Sequence, residues 1–309
     1  MKLTKLKRKG MRDVGELIFY ICLVALPMLQ VAIFYGYVNF NSFLMSFQSY
    51  DTLSGKFTFD GFVNFKNLWR NFVYPTLWTS EIFRAFVNSL FLWLLTALFG
   101  KFLAILFSYY IYKKCIFDKL FKFFLFLPSV LPGILLVILF KFFANEAIPA
   151  YGALFKKEIG DLMALTSPAM MPLVYFFNIW ASFGAQILIY TGSMDQISPE
   201  IIEAGQVDGV KPYQEFFFIV VPMILPTVAT FMVASVATLF TNQASLYSFF
   251  GEKVEVENQT LGYHMFVLVC DVKKKTDYPY ASALGIVCTL IAFPLTLGMR
   301  RLLEGKEER

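Results

Sequence analysis

Six long apolar runs constrain this chain more than any other feature of its sequence. A helix needs about 20 consecutive apolar residues to cross the hydrocarbon core of a bilayer. Runs of that length lie at about 16–38, 86–110, 121–143, 168–190, 216–240 and 280–300. Only 16% of the residues are charged, against about 25% in a soluble domain. The sequence therefore predicts an all-α integral membrane protein with six transmembrane helices.

Basic residues give the orientation of these spans. Loops on the cytoplasmic side carry an excess of Lys and Arg. Here such residues precede the first run, follow the last and fill the short link after the second. Six spans put both termini on one side, so we predict both in the cytoplasm, with the links at about 39–85, 144–167 and 241–279 facing outward. The basic residues concerned are Lys5, Lys7, Arg8, Lys9, Arg12, Lys113, Lys114, Lys119, Lys122, Arg300 and Arg301.

This topology divides the chain into a basic cytoplasmic N-terminal tail over 1–15, a six-helix transmembrane domain over 16–300 and a cytoplasmic C-terminal tail over 301–309. The first run, from Leu17 to Tyr37, is too long for the apolar core of a cleaved signal peptide, and no small-residue cleavage site follows it. We therefore expect this run to be retained as the first span.

The loop between the fourth and fifth runs, at about 191–215, is acidic although the predicted topology makes it cytoplasmic. The stretch ISPEIIEAGQVDGVKPYQEFFFIVVP, from Ile197 to Pro222, covers most of this loop and enters the fifth run. There Pro222 and Pro226 are expected to bend the span. Against the single base Lys211, this stretch from Ile197 to Pro222 carries four acids, which are Glu200, Glu203, Asp208 and Glu215.

Local signals in this loop predict two helices. Ser198 is a side-chain cap and Pro199 suits the first helical position, so a helix begins here. Asp208 and Gly209 form a turn pair that should end it. A second helix is predicted from Pro212, because a proline disfavours the α region in the residue before it. That second helix leads directly into the fifth span.

The first of these helices has two kinds of surface. Glu200 and Glu203 share one face because they are three residues apart. Ile201, Ala204 and Gly205 form a neighbouring face that is apolar and then small. Such a helix suits a groove in another protein, whereas a helix lying on lipid is expected to carry Lys and Arg on its polar face. Docking to a protein is the interpretation that we favour.

The loop resembles the EAA motif of binding-protein-dependent ABC importer permeases, which runs E-A-A, three residues, G, nine residues, I-x-L-P. Here EAG begins at Glu203, Gly209 follows three residues later, and IVVP begins at Ile219, so the spacing is kept. The departures are Gly205 for the second Ala and Val221 for Leu.

The resemblance covers about residues 35 to 305. The stretch ISPEIIEAGQVDGV resembles the carbohydrate branch of the family. FLFLPSVLPGILLVILFKFF, from Phe124, and the earlier FVNFKNL are similar to the maltose-type first permease. The resemblance implies the type I ABC-importer permease fold in the bacterial cytoplasmic membrane, and import of a sugar, most simply an oligosaccharide, by alternating access.

The same resemblance implies partners. They are a second, related permease, two nucleotide-binding ATPase subunits and an extracytoplasmic solute-binding protein. ATP and Mg are expected on the ATPase subunits, since this chain has no G-x-x-x-x-G-K-[ST] sequence, and the chain itself is expected not to be an enzyme. The acids of the loop then become contacts to an ATPase subunit. The ATPase-coupling residues implied are Glu200, Glu203, Ala204, Gly205, Asp208 and Gly209.

Polar residues inside the spans are candidates for the sugar path. The resemblance places Ser129, Asn178, Ser182, Ser235 and Asn242 there. Trp180, beside Asn178, offers a flat face for a sugar ring. The alternative is that these side chains only link helices by hydrogen bonds. Since the candidates are neutral, a neutral sugar is favoured over a polyol phosphate. Two intramembrane lysines, Lys101 and Lys141, are expected to extend to the membrane surface.

Other functional classes remain to be weighed. An ion-coupled secondary transporter or channel would need carboxylates near the middle of the spans, and the predicted spans contain almost none. A membrane-embedded enzyme would need a nucleophile, a metal or an acid–base set. The single histidine, His264, and four cysteines without paired spacing do not supply one. The net charge of +5, with no soluble basic domain, does not indicate nucleic acid.

Overall fold

A computed structural model of the chain describes residues 14–74, 76, 80–156, 159–270 and 275–304. Most of these residues lie in helices, as the apolar runs predict. The basic residues from Lys5 to Arg12, and residues 305–309 of the predicted C-terminal tail, lie outside the described ranges.

Six segments of the described chain are long and apolar enough to cross a membrane. Five are single helices: Ile18–Met45, Glu81–Tyr112, Gly133–Leu154, Met170–Met194 and Lys275–Leu303. The other is a bent pair of helices, Pro212–Met223 and Leu225–Ala237, which counts as one broken span. We number the six in chain order, so the bent pair is span five. Their number agrees with the six apolar runs.

The bounds of the individual elements are finer than these spans. The α-helical pieces of the spans are Val14–Gln30, Val38–Met45, Glu81–Leu94, Lys101–Tyr112, Gly133–Phe142, Ile148–Leu154, Met170–Ala181, Phe183–Met194, Pro212–Gln214, Val221–Met223, Leu225–Ala237 and Tyr278–Glu304. π-Helical segments connect some of them, at Val31–Tyr37, Leu95–Gly100, Phe143–Ala147 and Glu215–Val220. The remaining helices are Val63–Val73, Asp118–Val130, Pro199–Val207, Leu246–Phe250 and Leu261–Cys270, with 3₁₀ turns at Val256–Asn258 and Lys275–Asp277.

Span three begins later than the sequence predicted. The backbone is extended at Leu131, with ψ 142°, because the following Pro132 disfavours a helical conformation there. Helix Asp118–Val130 therefore ends at this point and packs against Phe183–Met194 as a separate element. The prediction of a single span over 121–143 is wrong, since the membrane-spanning helix is Gly133–Leu154.

Span five is bent by 68° where its two helices meet, at Ile224. Pro222 and Pro226 lie on either side of this point, and each removes a backbone donor from the helix. The expected bend is confirmed. The half before the bend continues from the acidic loop, and the half after it, Leu225–Ala237, packs along span six.

A short β-hairpin follows span one and is the one departure from an all-α fold among the described residues. Strands Gln48–Asp51 and Lys56–Phe59 pair antiparallel, with Gln48 opposite Phe59 and Asp51 opposite Lys56. Gly55 takes a left-handed conformation in the turn, with φ +67°, and a glycine adopts this at no steric cost.

The buried side chains form three clusters that tie the spans together. One joins spans three and four to helix Leu246–Phe250. A second joins spans two and four to the acidic loop through Ile202, Phe216 and Val220. The third joins helix Val63–Val73 to spans two and six, and to Leu239 and Phe240 just after span five. The acidic loop is therefore packed onto the bundle.

The two intramembrane lysines do not both reach the membrane surface. Lys141 donates to the carbonyl of Phe249 at 3.2 Å, and its ammonium lies 5.5 Å from the centre of the Phe250 ring. Lys101 is only 5% exposed within span two, so the expectation that it extends to the surface is wrong for this conformation of the chain.

Candidate functional site

The acidic loop contains one short helix, Pro199–Val207, which we call the loop helix. Ser198 precedes it with an extended backbone, and Pro199 takes the first helical position, as predicted. The hydroxyl of Ser198 does not cap the helix backbone. It donates instead to Oε2 of Glu200 at 2.8 Å. The expected side-chain cap is therefore wrong, because the neighbouring carboxylate competes for the hydroxyl.

The loop helix ends at the turn that the sequence predicted. Gly209 has φ +75°, a left-handed conformation that costs L-residues other than glycine about 1–2 kcal/mol. The amide of Gly209 donates to the carbonyl of Gln206 at 3.1 Å, and the amide of Val210 donates to the carbonyl of Gly205 at 2.9 Å. This pair of bonds is a Schellman motif, and it turns the chain towards span five.

The inner face of the loop helix carries Ile202 and Gly205, which are three residues apart and both buried. A Cβ atom at Gly205 would lie 3.0 Å from Cδ1 of Ile219. The expectation that Ala204 and Gly205 form one exposed small surface is therefore wrong. Gly205 allows the loop helix to approach this chain's own span five, and Ala204 alone of the two is exposed.

The outer face of the loop helix carries the predicted acids together with apolar side chains. Glu200, Glu203 and Asp208 are exposed. Between them Val207 is 87% exposed and Ile201 is 42% exposed. The sequence interpretation did not include Val207, although its position three residues after Ala204 places it on the same face. The result is an apolar strip bordered by carboxylates.

Glu215, the last acid of the loop, has a different environment. Its carboxylate accepts from Nζ of Lys113 at 2.9 and 3.1 Å and from the hydroxyl of Tyr109 at 3.2 Å. The residue is 4% exposed. Interpreting all the acids of the loop as partner contacts is therefore wrong for Glu215, whose charge is neutralised within the chain. Lys113 is far away in sequence, so no local pattern could have revealed this pair.

The two candidate amides of the sugar path meet at one backbone residue. Asn178 donates to the carbonyl of Ala244 at 2.9 Å and to that of Val174 at 2.8 Å. Asn242 accepts from the amide of Ala244 at 2.8 Å. Ala244 has φ +53°, and Ser245 beside it has φ +56°. The two amides thus hold a turn whose backbone conformation is unfavourable for these residues.

The two amides differ in what remains for a solute. Both hydrogens of the Asn178 amide bond backbone carbonyls, so this side chain supports the structure. Asn242 is exposed and bonds Ala244 through Oδ1. Within the described residues, its amide nitrogen has no hydrogen-bond partner. Asn242 is accordingly the better placed of the two to contact a sugar.

The three candidate serines lie at three separate helix contacts. Each donates to a carbonyl three residues earlier in its own helix, at 2.7 Å. Ser129 packs on Gly184, where a Cβ atom would lie 2.5 Å from the serine side chain, and Ser182 faces Gly100. Ser235 also accepts from Nε1 of Trp93 at 3.2 Å, and this is the one hydrogen bond between helices that a candidate serine makes among the described residues.

Trp180 lines an apolar groove of about 360 Å³ formed by helix Asp118–Val130 with spans three and four. Its ring centre is 6.4 Å from that of Phe140 and 6.2 Å from that of Phe177. The groove surface is almost entirely hydrocarbon, so this face of the indole suits apolar groups. Elsewhere in the described chain, no group of three His, Cys, Asp or Glu is placed to hold a metal ion.

A sequence profile of the family described as binding-protein-dependent transport system inner membrane component matches residues 96–305. Among curated proteins, the chain is 23% identical to the multiple sugar-binding transport system permease protein MsmF of Streptococcus mutans, over 86% of this chain and 88% of that one. It is 27% identical to the probable ABC transporter permease protein YurN of Bacillus subtilis, over 95% and 99% of the two chains.

Two solved structures share the fold. One is a bacterial ABC transporter involved in the import of the acidic polysaccharide alginate, with a TM-score of 0.77 and 19% identity over 94% of this chain and 96% of that chain. The other is a bacterial alginate ABC transporter in complex with an alginate pentasaccharide-bound periplasmic protein, with a TM-score of 0.74 and 22% identity over 92% and 93%.

Proposed function

Because the chain belongs to the family of binding-protein-dependent transport system inner membrane components, we propose that it is the sugar-conducting permease of an ATP-driven importer. It is a multi-pass subunit of the cytoplasmic membrane and not an enzyme. The proposal adds a carbohydrate substrate and a set of partners to this family membership. Its structural basis is the exposed strip of the loop helix.

The observation that carries the proposal is the position of this exposed strip. The inner face of the loop helix packs on span five, while Ala204 and Val207 face away from the chain, between Glu203 and Asp208. Covering an apolar side chain as exposed as Val207 with a partner surface is favourable, because it removes apolar area from water. The carboxylates beside it favour a partner groove with basic or amide groups. We assign this strip to the contact with a nucleotide-binding ATPase subunit.

The ion pair between Lys113 and Glu215 bears on which side of the membrane each loop faces. It brings the Lys-rich link after span two and the acidic loop to the same side of the bundle. The excess of Lys in that link favours the cytoplasm, where ATP is available. We therefore propose that the loop helix and both termini are cytoplasmic, and that the hairpin after span one faces outward.

The remaining partners follow from the family and its structural neighbours. We propose a second, related permease, two ATPase subunits that hold ATP and Mg, and an extracytoplasmic solute-binding protein. One neighbouring structure includes a sugar-bound periplasmic protein, which supports the last of these. ATP-driven closure of the ATPase subunits would move the loop helix and shift the permease between inward- and outward-facing states.

The substrate that we propose is an oligosaccharide. Similar proteins include MsmF, named for multiple sugars, and a galactooligosaccharide permease of Bacillus subtilis, 25% identical over 83% of this chain and 63% of that one. Asn242, with its exposed amide, is the residue that we place on the sugar path. An ion-coupled transporter is disfavoured, because the one buried carboxylate of the described residues, Glu215, is paired with Lys113.

Co-purification and reconstitution test this function. We expect the tagged chain, purified gently from its native membrane, to retain a second permease and a Walker-motif ATPase, and the complex to take up an oligosaccharide only with ATP and binding protein. Glu203→Lys should lower uptake by at least about tenfold, because a reversed charge at an interface repels its partner. The control Glu252→Lys reverses an exposed acid outside the loop.

The result can contradict the proposal in two ways. Recovery of the chain without any ATPase, even after crosslinking through Glu203→Cys, would exclude the importer and favour an ion-coupled transporter. Normal uptake by Glu203→Lys in an intact complex would exclude the docking role of the loop helix while leaving the importer in place.

A further inference from the structure

Three polar groups join the end of span two to the beginning of span five. Tyr109 lies in the last turn of span two and Lys113 directly follows this span, four residues later, and both bond the carboxylate of Glu215. The hydroxyl of Tyr109 also lies 3.2 Å from the carbonyl of Pro212, and its ring centre is 5.0 Å from that of Phe216. We call Tyr109, Lys113 and Glu215 the carboxylate clamp.

The carboxylate clamp holds the same segment of span five on which the loop helix packs. The loop helix packs its inner face on Ile219, in the π-helical segment Glu215–Val220. That segment is in turn held to span two by the clamp. The bend at Ile224 follows, so the half of span five beyond it has a different direction. Glu215 thus adds a polar link to the apolar contacts that already join the loop to span two.

A charged pair is an unexpected choice for this position if stability were its only role. The side chains of Lys113 and Glu215 are 28% and 6% exposed, and the desolvation of such a pair offsets much of its attraction. Well-packed apolar residues often hold two helices together as firmly. A carboxylate that accepts from two directions does, however, fix the mutual position of two elements, because hydrogen bonds to a charged group are strong and directional.

We infer that Glu215 is a positioning residue for ATP-coupled transport. The carboxylate clamp makes the end of span two and the segment Pro212–Val220 move as one body with the loop helix, and leaves the bend at Ile224 as the place where this body turns. The inference rests on the proposed function and adds the route by which motion of the loop helix reaches the bundle.

The first test measures coupling in the reconstituted complex. Glu215→Gln keeps the shape of the side chain but removes its charge. We expect sugar uptake per ATP hydrolysed to fall by at least about fivefold, which is the lower end of typical coupling effects, while the complex still assembles. The exchange Lys113→Glu with Glu215→Lys should restore most of that ratio. Glu257→Gln, which removes the ion pair of Glu257 with Arg84 elsewhere in the chain, is the matched control and should leave it unchanged.

The second test does not depend on which solute moves. Spin labels at Lys114 and Tyr213, both exposed and on the two sides of the carboxylate clamp, report the distance between span two and the segment Pro212–Val220. In the otherwise wild-type complex this distance should be the same with and without ATP. In Glu215→Gln the distribution of this distance should broaden.

The outcomes separate the inference from the proposed function. An unchanged uptake-to-ATP ratio and an unchanged label distance in Glu215→Gln would overturn the positioning role. So would loss of assembly in Glu215→Gln and in the charge exchange alike, since that result means packing alone. If the wild-type complex moves no sugar but the label distance still depends on Glu215, the substrate assignment fails and the carboxylate clamp stands.

Discussion

The glycine that ends the loop helix allows a sharp test of how the loop is built. Gly209 has φ +75°, and a Cβ atom placed there would meet nothing within 4 Å. Substitutions at this position therefore change the backbone preference without creating a clash inside the chain. The series Gly209→Asn, Gly209→Ala and Gly209→Val separates the effect of backbone preference from that of side-chain size. Asparagine is bulky but tolerates the left-handed conformation, and valine does not.

The expected magnitude follows from the backbone alone. Holding an alanine in the left-handed region costs about 1–2 kcal/mol, and a β-branched valine costs more. Since about 1.4 kcal/mol is a factor of ten in an equilibrium constant, Gly209→Ala should depopulate the correctly turned loop by about fivefold to thirtyfold. Two bonds would be lost with it, from the amides of Gly209 and Val210. Gly209→Asn should cost far less.

Uptake per ATP hydrolysed in the reconstituted complex is the suitable assay, with complex yield measured in parallel. We expect the order wild type, Asn, Ala and Val, with full assembly throughout. Gly160→Ala is the control, because that glycine is exposed, lacks a positive φ and also has nothing within 4 Å of a Cβ atom. If Gly209→Asn is as damaging as Gly209→Val, side-chain bulk against a partner is responsible, and the backbone argument is refuted.

Two further predictions concern other parts of the chain. Asn178→Ala removes the support of the turn at Ala244 and should destabilise the complex by about 1–3 kcal/mol in thermal unfolding. Asn242→Ala should change sugar uptake more than stability. If Asn178→Ala changes mainly uptake and Asn242→Ala mainly stability, the two roles are exchanged. Burial lowers the pKa of His264 in helix Leu261–Cys270, so its folded form resists protonation. The unfolded chain, with a pKa near about 6.5, then binds the proton first. Stability should fall as the pH drops below about 6.5, and His264→Gln should flatten that dependence in a pH series of melting temperatures.

The features that the sequence predicted correctly are local ones. The start of the loop helix at Pro199 and its end at Gly209 depend on residues within one turn of each position, and the bend in span five depends on Pro222 and Pro226 beside it. The predicted position of span three was wrong for a related reason. Hydropathy is continuous through residues 121–143, and only the effect of Pro132 on its predecessor shows that two helices are present.

The features that the sequence could not give depend on contacts between distant segments. The sequence predicted both Asn178 and Asn242 as sugar ligands. A polar side chain in a span looks the same in the sequence whether it binds a solute or the backbone of a neighbouring helix. In the structure both amide hydrogens of Asn178 bond backbone carbonyls, whereas Asn242 bonds Ala244 through Oδ1 alone. In the same way, Glu215 looked like a fourth exposed acid until its pairing with Lys113 placed it inside the bundle.

Glycines four residues apart in the loop serve two different physical purposes, and this explains the spacing of the motif. Gly205 suits its position by its small size, since a Cβ atom there would lie 3.0 Å from Cδ1 of Ile219. Gly209 is needed for its backbone freedom in open space. The neighbour of Gly205 is the end of a flexible side chain, which can move, so alanine is acceptable there at a small cost in packing. At Gly209 no movement of a neighbour relieves the left-handed backbone. The motif can therefore vary at the first glycine but not at the second, and Glu203, between two buried positions of the loop helix, is left exposed.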